Sequence, residues 1–242
     1  MGLCNSPDIF QAKMSELFIG LDTGHVYIYG LLHVTKGSWT EHLSTLEEMF
    51  TRLQKVGLKV NASKSCFNAH KFDYLGYHVT RDRVMTIPKK VEAIQALAVP
   101  KARKQLRQFI GMINFYRDMW QKRSELLTPL TALTSKNVKY DWKDEHQRCF
   151  DAIKRVIGRE VLLGYPDFIS PFEIYTDASK FQLGAVISQK GKPIAFYSRQ
   201  MNSGQHNYTT TEKEIISIVA SLKEFCNIIL GHQITVYLII KI

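Results

Sequence analysis

Cysteine is scarce in this 242-residue chain: Cys4, Cys66, Cys149 and Cys226 lie far apart, and no two form a Cys-x-x-Cys pair. That spacing excludes a zinc-ribbon type of site and a disulfide framework, and free thiols suit a reducing compartment. No apolar run reaches the ~20 residues that a membrane span needs. The opening MGLCNSPDIF carries no charged-then-apolar leader pattern. The expectation is an intracellular protein, cytoplasmic or nuclear, neither secreted nor bound to a membrane. Acidic residues are also short, 22 against 32 Lys and Arg, which leaves a net charge of +10 and a pI near 9.4. What is plentiful is apolar side chain: hydrophobic residues make up 45% and aromatics 11%, which excludes a disordered or low-complexity protein.

The shortage of acids is concentrated. Between Lys89 and Arg123 lie Lys89, Lys90, Lys101, Arg103, Lys104, Arg107, Arg117, Lys122 and Arg123 against Glu92 and Asp118, a net of +7. Apolar residues in this stretch recur at helical spacing, Val91, Ile94 and Leu97, then Leu106, Phe109, Ile110, Ile113, Tyr116 and Trp120. Pro100 divides it into two helices. Lys101, Lys104, Arg107 and Phe115 fall away from that stripe, so the module has an apolar face and a basic face that also carries an aromatic ring. A charge run is most often a solvated face, but an excess of this size favours a polyanion. Such a face can follow phosphates while the ring lies against a sugar or base. Lys101, Arg103, Lys104, Arg107 and Arg117 are the candidate nucleic-acid contacts.

Elsewhere the pattern predicts a helix over 5–20, a tight strand hairpin over 25–34 with Gly30 in its middle, and a helix over 38–56 closed by Gly57. Strands are expected over 58–60 and 72–79, and a helix over 142–157. Three consecutive strands over 172–177, 183–189 and 194–198 precede a long helix over 209–230 and a last strand from 234. The fold class is α/β (α+β).

Six strings occur in one order, Gly2-Leu3-Cys4-Asn5-Ser6-Pro7 with Phe10-Gln11, Gly57 to Asn61 with Lys64, Tyr74-Leu75-Gly76-Tyr77, Lys89-Lys90-Val91, Phe172 to Ser179 and Tyr208 to Glu214, and together they resemble the reverse transcriptase–ribonuclease H region of gypsy-type long-terminal-repeat retrotransposons. Gly2-Leu3-Cys4-Asn5-Ser6-Pro7, with Phe10-Gln11, is similar to the motif that opens a palm helix near the incoming nucleotide. Gly57-Leu58-Lys59-Val60-Asn61 with Lys64 matches the next palm motif, and Tyr74-Leu75-Gly76-Tyr77 the hairpin that grips the primer strand. The stretch from Lys89-Lys90-Val91 corresponds to the thumb. Phe172 to Ser179 and Tyr208 to Glu214 match the ribonuclease H part. The resemblance implies a partial palm (1–87), a helical thumb (88–135), a connection (136–164) and a truncated ribonuclease H-like β-β-β-α-β domain (165–242). It implies Gly2 and Gln11 in a nucleotide or template pocket, an RNA–DNA hybrid or duplex as partner, and Mg2+ or Mn2+ as cofactor.

The same resemblance exposes departures. The family holds its polymerase metals on a Tyr-x-Asp-Asp hairpin turn; here Val26-Tyr27-Ile28-Tyr29-Gly30-Leu31 puts Tyr29 and Gly30 at the two Asp positions. Neither offers a hard cation the carboxylate oxygens it wants. The third carboxylate would belong to a strand before Met1. In the ribonuclease H part Asp177 and Glu214 stand at ligand positions, but Ile239 occupies the place of the next Asp. These readings predict a fragment that is silent as a polymerase and holds half a ribonuclease H cluster. The alternative is a nucleic-acid-binding protein without catalysis. A third possibility is that uncovered sheet edges prevent a stable product.

Overall fold

The computed structural model describes residues 4–28, 30–35, 37–159, 162–179 and 181–238. Compactness divides the chain into one unit up to Asn68 and a second from Ala69 on. The second unit takes in the hairpins after Asn68 together with the helical module.

In the first unit, helix α1 (Ser6–Leu17) starts with a proline in its first turn and Asp8 beside its N-terminal dipole. Strands β1 (Gly24–Tyr27) and β2 (Gly30–His33) pair antiparallel with Tyr27 opposite Gly30, so a two-residue turn joins them. Ile28, the first turn residue, has φ 51°, a left-handed conformation that a β-branched side chain resists. Helix α2 (Trp39–Lys55) is capped by the Ser38 hydroxyl, which accepts from the Glu41 N–H at 3.2 Å. It ends at Gly57, φ 71°, where the Gly57 and Leu58 N–H groups donate to the Gln54 and Leu53 carbonyls, each at 3.0 Å. This is a Schellman closure, as glycine there predicts. Met14, Phe18, Leu21, Met49 and Leu53 form the core. The strand expected over 58–60 does not form. The Asn61 side chain instead accepts from the Ser63 N–H and starts a short 3-10 turn, a local bond that competes with strand pairing.

The second unit begins with a meander of β3 (Lys71–Tyr74), β4 (Tyr77–Thr80) and β5 (Val84–Thr86). The single strand expected over 72–79 thus folds back on itself at Leu75 and Gly76, with φ 47° and 84°, the geometry of a two-residue hairpin turn. Four helices follow, α3 (Pro88–Gln95), α4 (Arg103–Asn114), α5 (Arg123–Ala132) and α6 (Asp144–Gly158). The basic stretch therefore holds α3, α4 and the start of a third helix, where two were expected.

The last part is a four-stranded sheet of β6 (Phe172–Ala178), β7 (Gln182–Gln189), β8 (Lys192–Gln200) and β9 (Ile234–Leu238). Its order is β8-β7-β6-β9, with β9 parallel to β6. Helix α7 (Thr210–Glu224) opens with a capping box between Thr209 and Glu212. The long helix expected over 209–230 is interrupted at Phe225, which is buried beside Phe172 and Ile174, and a short α8 (Cys226–Ile229) completes it.

One apolar core runs through the helical module and into this sheet: Ile94, Phe109, Trp120, Leu130, Phe150 and Phe196 belong to a single cluster. The Ser124 N–H donates to the buried Ser198 hydroxyl at 3.0 Å, which fastens α5 to β8.

Candidate functional site

Three places carry the residues singled out by the sequence. The first is the β1–β2 hairpin. Gln11, on α1, donates its amide to the Val26 carbonyl at 3.1 Å and accepts from the Ile28 N–H. Both ends of its side-chain amide are therefore engaged by the hairpin backbone. Gln11 thereby clamps the hairpin's position on the helix. Tyr27 is half exposed at 52%, and Gly30 is exposed. Gly2, Tyr29 and Ile239 lie outside the described residues.

The second place is the β3–β4 hairpin and the helices beneath it. The Tyr77 ring stacks on Phe115 with centroids 5.3 Å apart, and the Tyr77 hydroxyl donates to the Phe115 carbonyl at 3.1 Å. The Tyr116 hydroxyl donates to the Gly76 carbonyl at 3.3 Å. Burial pushes the Tyr77 phenol up from its ordinary value, helped by Asp118, and burial does the same to Tyr116, helped by Tyr77. Both phenols therefore stay protonated donors. Leu75, at the tip, is exposed, and the Tyr74 ring meets Phe72 edge-on at 6.4 Å.

The basic residues of the helical module divide into two kinds. Lys101 and Lys104 are exposed, and among the described residues neither ammonium has a carboxylate within 4.0 Å. Arg103 is partly buried and donates to the Val138 carbonyl, and Arg107 donates to the Thr134 carbonyl at 2.6 Å. These two hold the turn that follows α5; Arg107 remains exposed as it does so, and Arg103 is the one turned partly inward. Arg117 is exposed and pairs with Asp118 at 3.3 Å and Glu224 at 3.8 Å. Phe115, expected to meet a sugar or base, has its ring against Tyr77 and Gly76, so it serves as the hairpin's seat.

The third place is the ribonuclease H-like sheet. Asp177 lies near the end of β6 and Glu214 in the first turns of α7, the helix that packs on β6; both are half-buried. Glu214 falls on the helical row that continues through the buried Ser217 and Ser221. Among the described residues, no three of His, Cys, Asp and Glu come together as a group able to hold a metal ion.

Residues 1–79 match the family model described as "Reverse transcriptase (RNA-dependent DNA polymerase)", and residues 142–236 the one described as "RNase H-like domain found in reverse transcriptase". The chain is 36% identical over 234 residues to the retrovirus-related Pol polyprotein from transposon 297 of Drosophila melanogaster, covering 96% of this chain. The chain belongs to the reverse transcriptase–ribonuclease H region of retrotransposon Pol polyproteins. To the Pol polyprotein from transposon gypsy of the same organism it is 29% identical over 247 residues. It spans 22% and 24% of the length of these two relatives. Among solved structures it is similar to the foamy viral protease-reverse transcriptase dRH in complex with double-stranded DNA, with a TM-score of 0.89 and 27% identity, over all of this chain and 44% of that one. It is also similar to the foamy viral protease-reverse transcriptase in complex with an RNA/DNA hybrid, with a TM-score of 0.86 and 27% identity, over all of this chain and 34% of that one.

Reverse transcriptases and their ribonuclease H domains work with divalent metal ions, and the donor sets of this Pol segment can be tested against that need. The β1–β2 hairpin does not fit: Tyr27, Tyr29 and Gly30 supply no carboxylate, and a hard cation binds through such oxygens. The ribonuclease H-like sheet supplies two carboxylates of a cluster that needs more. No chemical step is derived through either metal.

Proposed function

We propose that this Pol segment holds an RNA–DNA hybrid or duplex without polymerising on it. The observation that carries the reading is the exposed pair of ammonium groups on Lys101 and Lys104, with no carboxylate within 4.0 Å among the described residues, set on a module of net +7 between Lys89 and Arg123. Cations of this kind bind by releasing counterions from phosphates, which needs no particular base sequence. Polymerase silence follows from Tyr29 and Gly30 at the metal-holding positions. In this reading, residues 1–87 act as part of a palm, 88–135 as a thumb, 136–164 as a connection and 165–242 as a ribonuclease H-like part. The protein works in the cytoplasm or nucleus, where its four thiols stay reduced. The foamy viral relatives bound to duplex and hybrid support the choice of partner.

The test is equilibrium binding of a labelled RNA–DNA hybrid over a series of KCl concentrations. Affinity is expected to fall linearly in log K against log salt, and Lys101→Glu with Lys104→Glu to weaken it about tenfold or more. Affinity indifferent to salt and to both reversals overturns the reading. In the same preparation, Mg2+- or Mn2+-dependent cleavage of the hybrid, lost in Asp177→Asn, would show that the ribonuclease H-like part is catalytic after all.

A further inference from the structure

Arg123 and Arg199 are cations drawn into the fold without a counter-charge. Both are partly buried, and among the described residues no carboxylate lies within 4.0 Å of either guanidinium. Arg123 opens α5; its Nη1 donates to the Asn114 side-chain oxygen at 2.8 Å and its Nη2 to the Ser198 carbonyl at 3.1 Å. Its Nε is buried and has no hydrogen-bond partner among the described residues. Arg199, on β8, donates from Nε to the Tyr197 hydroxyl at 3.1 Å and from Nη2 to the Gln205 side-chain oxygen at 3.4 Å. All four acceptors are neutral. A guanidinium carries five N–H donors, so each side chain keeps donors that these partners do not use. A charge withdrawn from water without a counter-ion costs free energy that an anion would recover.

The two arginines line one cleft of about 220 Å³, together with Arg117, Asp118, Tyr197 and Glu224. Burial first, and then the charge of Arg117, pull the Arg123 guanidinium below its ordinary value, so the two cations repel. Asp118 and Glu224 meet only Arg117, at 3.3 and 3.8 Å, which leaves three guanidiniums against two carboxylates in the cleft.

We propose that this cleft binds a free hydrogen phosphate ion, with Arg123 and Arg199 holding its charged oxygens and Glu224 accepting from its remaining hydroxyl. The fork of a guanidinium matches a tetrahedral oxyanion. The cleft is smaller than the ~300–1,000 Å³ of a pocket for a drug-sized ligand, which suits a lone ion and not a nucleotide. The carboxylates sharpen the choice. They repel the neighbouring phosphates of a nucleic-acid strand, and they repel sulfate, which at neutral pH has no hydroxyl to donate. Hydrogen phosphate has one. The site uses neither Lys101 nor Lys104 and stands whether or not the chain holds a hybrid.

The experiment is calorimetric titration of the full chain at pH 7 with sodium phosphate and, separately, sodium sulfate, in chloride at fixed ionic strength, with thermal melting recorded alongside. Phosphate is expected to bind saturably with a dissociation constant of about 1 mM or tighter. It is expected to raise the melting temperature with concentration, because it binds the folded state alone. Arg199→Gln removes a charged donor and is expected to weaken phosphate about tenfold or more. Arg117→Gln, at an exposed side chain, carries the same direction of change if Arg199→Gln melts early without ligand. Glu224→Gln is expected to narrow the gap between phosphate and sulfate. Absence of saturable phosphate binding, or an equal response to both ions, overturns the proposal. So does phosphate affinity that neither arginine substitution changes. If free phosphate does not bind and Arg199→Gln instead lowers the salt dependence of hybrid binding, the cleft serves a nucleic-acid strand and the proposal falls as well.

Discussion

Gly76 shows how much one missing side chain can decide. Its φ of 84° lies where an alanine costs about 1–2 kcal/mol. A Cβ there would also come within 2.5 Å of the Phe115 ring, which Tyr77 holds on another side. Gly76→Ala is expected to destabilise the second unit by about 2–4 kcal/mol, read as a shift of the urea midpoint. A change under about 0.5 kcal/mol would mean that the ring moves aside freely. The glycine itself was visible in the sequence, but its neighbour was not: Leu75 at φ 47° is a residue whose type gives no sign of a left-handed turn. By residue pattern alone the run from Phe72 to Val79 reads as one strand; the hairpin at Tyr74-Leu75-Gly76-Tyr77 is legible only through the family resemblance of that string. Gln11 teaches the converse. Its motif placed it in a nucleotide or template pocket, and only the structure shows both ends of its amide engaged by the backbone of the β1–β2 hairpin.

At the scale of elements, the segment before β6 is held by a carboxylate. Asp167 accepts from the Ser170 hydroxyl at 2.7 Å, from Lys190 at 2.9 Å and from the Ile169 N–H at 3.1 Å. These bonds, with that from Ser170 the strongest influence, hold its carboxyl well below the ordinary 3.8. A carboxyl depressed in the folded state adds stability above its unfolded value, and that stability is lost as pH falls through 3.8 toward the folded value. Asp167→Asn is therefore expected to lower the urea midpoint at pH 6 and to narrow the difference between pH 6 and pH 3. An equal pH dependence in both proteins would contradict the assignment. Most helices were legible because period and caps agree, as with Ser38, Gly57 and Thr209. The boundaries that slipped, at Phe225 and over 58–60, are places where a buried ring or a local side-chain bond outweighs periodicity.

At the scale of the whole molecule, one apolar core crosses from the helices of the second unit into its sheet. Phe196, on β8, is 8% exposed and belongs to the cluster of Phe109, Trp120 and Phe150 from the helices. Phe196→Ala is expected to cost about 3–5 kcal/mol and to lower the melting of helices and sheet together. Separate transitions for the two, with only the sheet affected, would refute a shared core. By itself the sequence determined the family, the excess of positive charge and the loss of carboxylates at Tyr29 and Gly30, because motif identity and net charge are properties of composition and order. It also placed Asp177 and Glu214 on a strand and a helix, through the strings around them. Tertiary structure alone decided which cations face outward. Arg103 donates to the Val138 carbonyl and is partly buried, whereas Arg107 donates to the Thr134 carbonyl while staying exposed, as Lys101 and Lys104 do. Helical spacing records the direction in which a side chain leaves its own helix; it holds no record of what another segment brings to meet it.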